Sequence, residues 1–589
     1  MSDNTDPHTK DGEAAPSILT SKFAKLNPFS KTGASDPEGG GDNLGEEVEF
    51  DSIAGGGHAA RRTKITKSEL RVSHALREFL VKENLLSAND AALDQPNAAS
   101  SDALKAFVDK SHINVPDYVR DRSRPLSEYF VSSSHNTYLL AHQLYGSSSA
   151  VAYEHVLITG ARCVEIDAWD NDDNPSEPKV THGYTLASHI PFRAVCETMK
   201  QAIQKEEEEA KRDQSFKVAP VLLSLENHCG HAGQKRLVEI MHQVWGDLLI
   251  SGPVDKGQPA SEHTALDHLG AKIAVMVEFH LSDKPPVEEA DDEEDDEEEK
   301  KNKAKRNEAK KAGIIPELCA LGVYAQSVKP VNDSWYTSTL TNGPHDHLIN
   351  ISETGLLDLL PKQTAAIKKH NAEHLMRVYP KGTRISSKNL NPVPFWGVGA
   401  QVCALNWQTF DHSIQLNEAL FSGSDGYVLK PPGLRIGGDG NTSLGRHKLS
   451  LHIAGATDLP LPKGREADDI RPYVTCTLIL PSDLKQDPPK EKTKPYKQHK
   501  LGIIHKGEQP IPTDPIWHET LEWEFEHDEL AFVRILIKSD DKFARNPLFA
   551  VAAVRLTYAA QGWRFIRLLD LKGRETHSTL LVKFDLDRI

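Results

Sequence analysis

Residues 163–170 read CVEIDAWD, and this stretch is the main indication of the fold. Successive side chains of a β-strand point to opposite faces, so Val164 and Ile166 share one face while Glu165 and Asp167 share the other. Two neighbouring carboxylates repel each other unless a cation or a proton lies between them. The stretch therefore predicts a strand with one apolar face and one acidic face, which either meets solvent or forms a site.

Further apolar runs along the chain alternate with stretches of helical periodicity, and this alternation is typical of parallel βαβ units. The runs are KVTHGYTL (179–186), VAPVLLSLENH (218–228) and AKIAVMVEF (271–279). The alternation stops at a charged insert, 283–312, and resumes until Arg435. Because a (β/α)8 barrel needs about 250 residues, we predict one barrel of the TIM type, 121–282 and 313–435, split by an acidic linker.

The flanking regions differ in character. Residues 1–60 are rich in Gly, Ser, Asp and Pro and are predicted to be a disordered tail. Residues 61–120 carry apolar residues at helical spacing without the Asp and Gly pattern of a calcium loop. Short alternating strands between turn residues over 447–589 predict an all-β sandwich.

Charge and hydropathy exclude several classes of protein. The formal net charge is −16, and eleven of the twelve residues from Glu288 to Glu299 are acidic, which argues against a nucleic-acid partner. No run approaches the roughly 20 apolar residues of a membrane span, and the N-terminus lacks the apolar core of a secretory signal. Six widely spaced cysteines indicate reduced thiols, so we expect a cytoplasmic protein.

Several polar residues follow predicted strands, and the carboxyl ends of barrel strands converge on one mouth. Oxygen donors of this kind suit Ca²⁺ or Mg²⁺ better than zinc. Histidines beside such a cation suit phosphate-ester chemistry, in which one steadies charge and another protonates the leaving oxygen. The oxygen donors are Asn136, Glu165, Asp167 and Glu226, and the histidines are His135 and His182.

The segments PLSEYFVSSSHNTYLLAHQL, ARCVEIDAWD, HGYTL and LLSLENHC closely resemble the first catalytic box of eukaryotic phosphoinositide-specific phospholipase C. RVYPKGTRISSKNLNPVPFWGVGAQVCALNWQT and GYVLKPPGLR resemble the second box. The resemblance is to delta-like members, without an evident N-terminal pleckstrin-homology domain and with a helical region like an EF-hand remnant. It also implies that the sandwich is a C2-type domain and that the acidic insert corresponds to the autoinhibitory linker of the family.

The resemblance implies a role for each matching residue. His135 would stabilise the pentacovalent phosphorus, and His182 would protonate the diacylglycerol oxygen. Glu165 would be both a calcium ligand and the base for the inositol 2-hydroxyl. The remaining roles are calcium ligation by Asn136, Asp167 and Glu226, and head-group binding by Arg377 and Tyr379.

Departures from the family concern the choice of substrate. Met276 and Glu278 stand where the family has lysines that hold the 4- and 5-phosphates, and a carboxylate there would repel a phosphorylated head group. Asn350 replaces a head-group serine, and Thr383 replaces a frequent tryptophan at the rim. The residues resembling the apolar membrane-facing rim, for which ordinary packing is an equally good interpretation, are Leu144, Tyr184, Leu186 and Leu357.

Two further patterns have weaker meaning. HCGHAG (228–233) and PHDHL (344–348) superficially resemble zinc ligands, but neither has a second matching pair, so we predict ordinary loop histidines. The sandwich is poor in acids at its third loop, so we expect weak or absent calcium binding there. The acids near its turns are Asp458, Asp468, Asp469, Asp540 and Asp541.

The sequence thus predicts a calcium-dependent phosphodiesterase that hydrolyses inositol phospholipids to diacylglycerol and an inositol phosphate through a cyclic intermediate. We expect a monomer, peripheral on the inner membrane surface. One alternative is a catalytically silent scaffold that binds membrane or partners with the same fold. Another is an enzyme acting on a different phosphodiester.

Overall fold

A computed structural model describes most of the chain from Ile53 to Ile589. The described residues are 53–55, 70–94, 101–140, 148–181, 189–213, 217–255, 263–279, 313–328, 333–336, 344–381, 388–462, 464–484, 488–498, 510–540 and 547–589. The predicted tail and acidic linker fall almost entirely outside them. Within these ranges, no helix is both long and apolar enough to span a bilayer.

Eleven strands form the first sheet. They are β1 (Tyr129–Val131), β2 (Cys163–Trp169), β3 (Lys179–Val180), β4 (Ile190–Pro191), β5 (Val221–His228), β6 (Ile273–Phe279), β7 (Gln326–Val328), β8 (His347–Ser352), β9 (Leu375–Tyr379), β10 (Val402–Cys403) and β11 (Tyr427–Leu429). Eight of them pair in parallel in the order β2-β5-β6-β7-β8-β9-β10-β1. A parallel bridge between Ser133 and Cys163 closes the ring, so the predicted barrel is confirmed.

The prediction of a further parallel strand over residues 179–186 was wrong for its described start, Lys179–Val180. Trp169 pairs with Lys179 in an antiparallel ladder, and β3 pairs in the same sense with β4. The nine residues between β2 and β3 are too few for a parallel crossover, which takes a dozen or more. The next parallel strand after β2 is therefore β5, which follows a long helix.

The described helices are α1 (His74–Lys82), α2 (Asp102–Val108), α3 (Val151–Thr159), α4 (Phe192–Arg212), α5 (His231–Trp245), α6 (Leu266–Leu269), α7 (Pro316–Cys319), α8 (Glu353–Leu359), α9 (Thr364–Glu373), α10 (Val393–Gly397) and α11 (His412–Phe421). Alternate residues of the barrel strands point to opposite sides. Val164 and Leu223 pack outward against helices, whereas Cys163, Leu222 and Met276 belong to the core inside the barrel. On β2, Glu165 and Asp167 consequently face the interior.

The C-terminal sheet is antiparallel throughout, in the order β14-β13-β16-β17-β18-β19-β12-β15. Its strands are β12 (Ser443–Thr457), β13 (Pro472–Ile479), β14 (Lys490–Lys492), β15 (Ile516–Asp528), β16 (Phe532–Ser539), β17 (Leu548–Arg555), β18 (Arg564–Leu569) and β19 (Glu575–Arg588). Six of these strands are predicted from the sequence, and β14 and β18 are additional.

The sandwich packs both on the barrel and on the N-terminal helical region. Arg534 of β16 donates a 2.6 Å hydrogen bond to Gln415 of the barrel helix α11. The helices of the predicted N-terminal helical region place Leu76 and Phe107 in one apolar core with Phe565 of β18. The sandwich therefore shares contacts with the barrel on one side and a buried apolar core with the helical region on the other.

Candidate active site

Three carboxylates lie toward the carboxyl ends of adjacent strands. Glu165 and Asp167 are on β2 and are nearly inaccessible, with 1% and 6% exposure. Glu226 is on β5 directly opposite Asp167 in the parallel register. One ligand atom each from Asp167, Glu226 and the neighbouring His228 lie within 4.8 Å of one another. The interior face predicted from CVEIDAWD is thus part of a buried acidic cluster.

The loop after β1 adds Asn136 to this cluster. Its φ of 46° is in the left-handed region, which asparagine tolerates better than most residues. In this conformation the Asn136 N–H donates a 2.8 Å hydrogen bond to Oε2 of Glu165. The Tyr138 hydroxyl lies 2.7 Å from Oδ2 of Asp167 and 3.0 Å from Oδ1 of Asn136. The loop therefore fixes the amide and two of the carboxylates relative to one another.

His135 lies beside these acids and is oriented from the other side. Its Nδ1 is 2.8 Å from Oδ1 of Asn406, and its Nε2 is 3.9 Å from Oε2 of Glu165. Because the Asn406 oxygen is an acceptor, Nδ1 carries the proton of the neutral ring and Nε2 faces the carboxylates. Asn389 accepts a 2.6 Å hydrogen bond from the Asn406 N–H and donates one to Asp411.

Arg377 projects inward from β9, with 2% exposure. Its guanidinium donates to Oε1 of Glu165 and, over 3.2 Å, to Oδ1 of Asn350. The Arg377 side chain thereby joins a segment after the charged insert to the acidic cluster formed by segments before it. Tyr379, two residues further along the same strand, is half-buried.

The electrostatics of the cluster favour a bound cation. Burial, together with the charges of Glu226 and Glu165, raises the pKa of Asp167 well above its ordinary value. Partial burial and the Glu165 charge also raise the pKa of Glu226. Oδ1 of Asp167 is buried and has no hydrogen-bond partner among the described residues. An oxygen-only donor set with this excess of negative charge fits a hard cation such as Ca²⁺.

The pKa of His135 is lowered, whereas the pKa values of the two acids are raised. Burial, followed by the charge of Arg377, lowers the pKa of its imidazole to about 4. The ring is consequently neutral at neutral pH when no anion lies beside it. A phosphate placed against Nε2 would favour the protonated form and oppose this shift.

The positions that concern substrate choice lie on neighbouring strands. Met276 of β6 is buried in register with Ser224 of β5, and Glu278 follows on the same face but is exposed. Leu357 is half-buried and packs against the barrel core. The predicted residues outside the described part of the chain are His182, Leu144, Tyr184, Leu186, Thr383 and, in the sandwich, Asp541.

The sequence interpretation missed Asn406, Tyr138 and Asn389. Asn406 follows β10 by three residues, so it satisfies the same rule of strand carboxyl ends that singled out the acids. Tyr138 and Asn389 gave no such signal, because their contacts with Asp167 and Asp411 join segments that are separated in the sequence.

Comparison with known proteins assigns both halves of the barrel to one family. Residues 122–278 match the X domain of phosphatidylinositol-specific phospholipase C, and residues 318–433 match its Y domain. The chain belongs to the phosphatidylinositol-specific phospholipase C family. Residues 447–571 match the C2 domain. The family, the barrel and the C2-type sandwich predicted from the sequence are thereby confirmed.

Alignments with curated relatives cover most of this phospholipase C chain. It is 33% identical over 479 residues to mouse (Mus musculus) 1-phosphatidylinositol 4,5-bisphosphate phosphodiesterase delta-3, across 77% of this chain and 56% of the relative. It is 30% identical over 559 residues to 1-phosphatidylinositol 4,5-bisphosphate phosphodiesterase 1 of Candida albicans, across 82% of this chain and 48% of the relative. The chain thus spans about half the length of these relatives.

Solved structures show the same fold. The crystal structure of L. pealei PLC21 aligns with a TM-score of 0.64 and 25% identity, covering 90% of this chain and 65% of that one. S. officinalis PLC21 aligns with the same TM-score at 24% identity.

Proposed function

We propose that this chain is a calcium-dependent phosphoinositide phospholipase C, which cleaves an inositol phospholipid into diacylglycerol and an inositol phosphate. The observation that carries the proposal is the meeting of His135, Asn136, three carboxylates and Arg377 at the carboxyl ends of the barrel strands. Together these groups provide a cation site, a base and a phosphate-stabilising imidazole within one buried cluster.

Asn136, Glu165, Asp167 and Glu226 are the residues that would hold Ca²⁺. When bound, the ion supplies positive charge that favours ionisation of the inositol 2-hydroxyl and offsets charge developing on the phosphoryl oxygens. The high pKa of Asp167 and its unpartnered buried oxygen support this assignment. A cation would replace protons on these carboxylates and relieve their mutual repulsion.

The remaining chemistry falls to side chains. Glu165 would accept the proton of the 2-hydroxyl, whose oxygen bonds to phosphorus as the bond from phosphorus to the diacylglycerol oxygen breaks. His135 would donate a hydrogen bond from Nε2 to the phosphoryl oxygen, and His182 would give a proton to the leaving oxygen. Water then opens the cyclic phosphate, with the two proton transfers reversed. The hydrogen bonds that Glu165 accepts from Asn136 and Arg377 hold its carboxylate in place.

The head group would lie between β6 and β9. Arg377 and Tyr379 would contact the inositol ring or its phosphates from β9. Across from them, Met276 and Glu278 offer no positive charge, so we propose that phosphatidylinositol is preferred over its bisphosphate. The named relatives act on the 4,5-bisphosphate, so this preference would distinguish the chain from them.

We further propose that the protein acts as a monomer at the inner membrane surface, reached from the cytoplasm through its C2 domain. Its partners would be inositol lipids and not nucleic acid. The C2 domain supports peripheral binding to lipid, in keeping with the absence of a candidate membrane-spanning helix in the described residues.

The test is the release of inositol phosphates from mixed vesicles while free calcium is titrated. Phosphatidylinositol, its monophosphate and its bisphosphate are offered in parallel to the unmodified chain and to His135→Ala and His182→Ala. We expect calcium-dependent release that either substitution lowers by at least about a thousandfold. A protein that binds these vesicles but cleaves no lipid at any calcium concentration would be the silent scaffold. Cleavage of another phosphodiester alone would establish the second alternative.

A further inference from the structure

A second group of titratable side chains lies at the opposite end of the barrel. His345 and Asp346 immediately precede β8, and His374 immediately precedes β9. Because the barrel strands are parallel, their amino ends lie away from the acidic cluster at their carboxyl ends. His263 approaches the same place from the segment before α6. This group belongs to no part of the proposed catalytic site.

The donor atoms of three of these residues converge. Nδ1 of His263 and Nδ1 of His345 each lie 3.3 Å from the same oxygen, Oδ1 of Asp346. One ligand atom from each of the three residues lies within 4.8 Å of the others. A separation of 3.3 Å is long for an N–H···O hydrogen bond, which is usually 2.7–3.2 Å. It equals the separation of about 3.3 Å between two ligands on a tetrahedral ion with bonds of about 2.0 Å.

The surroundings suit a small ion. Beside this group, a cavity of about 20 Å³ is lined by His263 and Asp346, although not by His345, and a space of that size holds one water-sized particle. The His374 ring stacks on His347 with 3.8 Å between ring centres. The side chains of His345 and Asp346 are 36% and 30% exposed, so an ion can reach them from solvent.

The donor types decide between cations. Imidazole nitrogen is a poor ligand for Ca²⁺ or Mg²⁺ but a preferred ligand for Zn²⁺ and neighbouring transition metals. Two imidazoles and one carboxylate are a common protein ligand set for zinc, with water in the fourth position. We propose that His263, His345 and Asp346 bind one Zn²⁺ ion at the amino end of the barrel.

Such an ion would have a structural effect on the chain. His263 lies before the charged insert, while His345 and Asp346 lie after it. The ion would therefore link the two halves of the barrel at the amino ends of the strands. Arg377 and Glu165 link the same two halves toward the carboxyl ends. Binding to the folded state alone raises stability by mass action, independently of any phospholipase activity.

The test uses the full chain, stripped of metal by EDTA and titrated with ZnCl2 in a calorimeter. We expect one site per chain that His263→Ala and His345→Ala each weaken at least tenfold. His577→Ala, an exposed histidine on β19, and Glu226→Gln, in the acidic cluster, should leave this site unchanged. Three results would each overturn the proposal: absence of a saturable site, zinc affinity in both ligand variants equal to that of the unmodified chain, or loss of the site only in Glu226→Gln.

A second pair of variants covers the case in which the alanine variants do not fold. Asp346→Asn and His345→Gln keep the side-chain volume and some hydrogen bonding. We expect both to keep the melting temperature of the zinc-free protein while losing the rise that zinc produces in the unmodified chain. If the rise persists in both variants, the site lies elsewhere and the proposal fails.

Discussion

The guanidinium of Arg377 donates a hydrogen bond to Oε1 of Glu165 inside the barrel, although 212 positions separate the two residues in the sequence. Both side chains are almost completely buried, at 2% and 1% exposure. Glu165 comes from the X domain and Arg377 from the Y domain, on either side of the charged insert. One buried ion pair therefore joins the two halves inside the barrel and fixes the carboxylate proposed as the base.

The first prediction concerns the stability that depends on this pair. Arg377→Met leaves Glu165 buried and unpaired, so we expect the free energy of unfolding to fall by about 3–5 kcal/mol. Adding Glu165→Gln should restore part of the loss, because no buried charge then remains unpaired. Urea unfolding measures both changes. The control is Arg446→Met, which breaks an exposed pair with Glu524 and should cost under about 1 kcal/mol. Equal losses in Arg377→Met and Arg446→Met would contradict the prediction.

The substitution Asp167→Asn should have opposite effects on the stability of the folded protein with and without calcium. Its carboxyl has a raised pKa, so its ionisation opposes folding above the ordinary pKa of an aspartate. In EDTA at neutral pH we expect the variant to be more stable than the unmodified chain by about 1–2 kcal/mol. The gain should shrink as the pH falls toward 4, where the unfolded carboxyl also takes up its proton.

The same variant should lose the rise in melting temperature that calcium gives the unmodified chain, because a ligand is removed. Thermal unfolding with and without calcium measures this response. A calcium-induced rise retained at full size in Asp167→Asn would show that the ion binds elsewhere.

Asn406 is predicted to position His135. Asn406→Ala removes the acceptor at Nδ1, so the ring loses its orientation, and we expect kcat to fall about 10–100-fold with little change in KM. Asn406→Asp should recover part of the rate and shift the pH–rate profile to higher pH, since a carboxylate raises the pKa of an adjacent imidazole. A purely structural role for Asn406 would leave that profile in place. Asn441→Ala, in an exposed turn, is the matched control.

Glu278 is predicted to disfavour phosphorylated head groups. Glu278→Lys replaces a negative with a positive charge at an exposed position near the carboxyl end of β6, so the fold should tolerate it. We expect turnover of the bisphosphate relative to phosphatidylinositol to rise by at least about tenfold. Glu239→Lys makes the same charge change on the exposed surface of α5 and serves as the control. If the two variants shift the preference equally, membrane attraction is responsible and not the head-group site.

The free energy of unfolding should fall at acidic pH because of three histidines that lie near the proposed zinc site. Burial lowers the pKa of His347, His370 and His374 to about 4 each. Unfolded histidine titrates near 6.5, so lowering the pH from about 6.5 to 4 favours the unfolded state. Each group should cost on the order of 1–2 kcal/mol at pH 5.

The variant His370→Gln should make the loss in acid smaller, because one depressed histidine is removed. Urea unfolding in EDTA at a series of pH values measures the slope. His577→Gln, at an exposed site, should leave it unchanged. If stability depends on pH with the same slope in His370→Gln as in the unmodified chain, His370 does not cause the loss of stability in acid.

Local sequence pattern predicted the elements that matter most for the site. CVEIDAWD alternates so regularly that its pleat alone places Glu165 and Asp167 on one face. The same reasoning failed for the run that begins at Lys179, because an apolar run does not reveal whether its connection is long enough for a parallel crossover. It also treated His345 as an ordinary loop histidine, because the neighbouring His263 comes from a segment 82 residues earlier.

By itself the sequence determined which residues lie at strand ends, since alternation and helical spacing are local properties of the chain. It thereby determined the barrel, the sandwich and the oxygen donors of the acidic cluster. Only the tertiary structure decided which strand ends meet, because that depends on the order of strands and on closure of the ring through Ser133 and Cys163. Ring closure brings Arg377 to Glu165, and the pairing of β1 with β10 brings Asn406 to His135, while at the opposite end of the barrel the same fold brings His263 to Asp346.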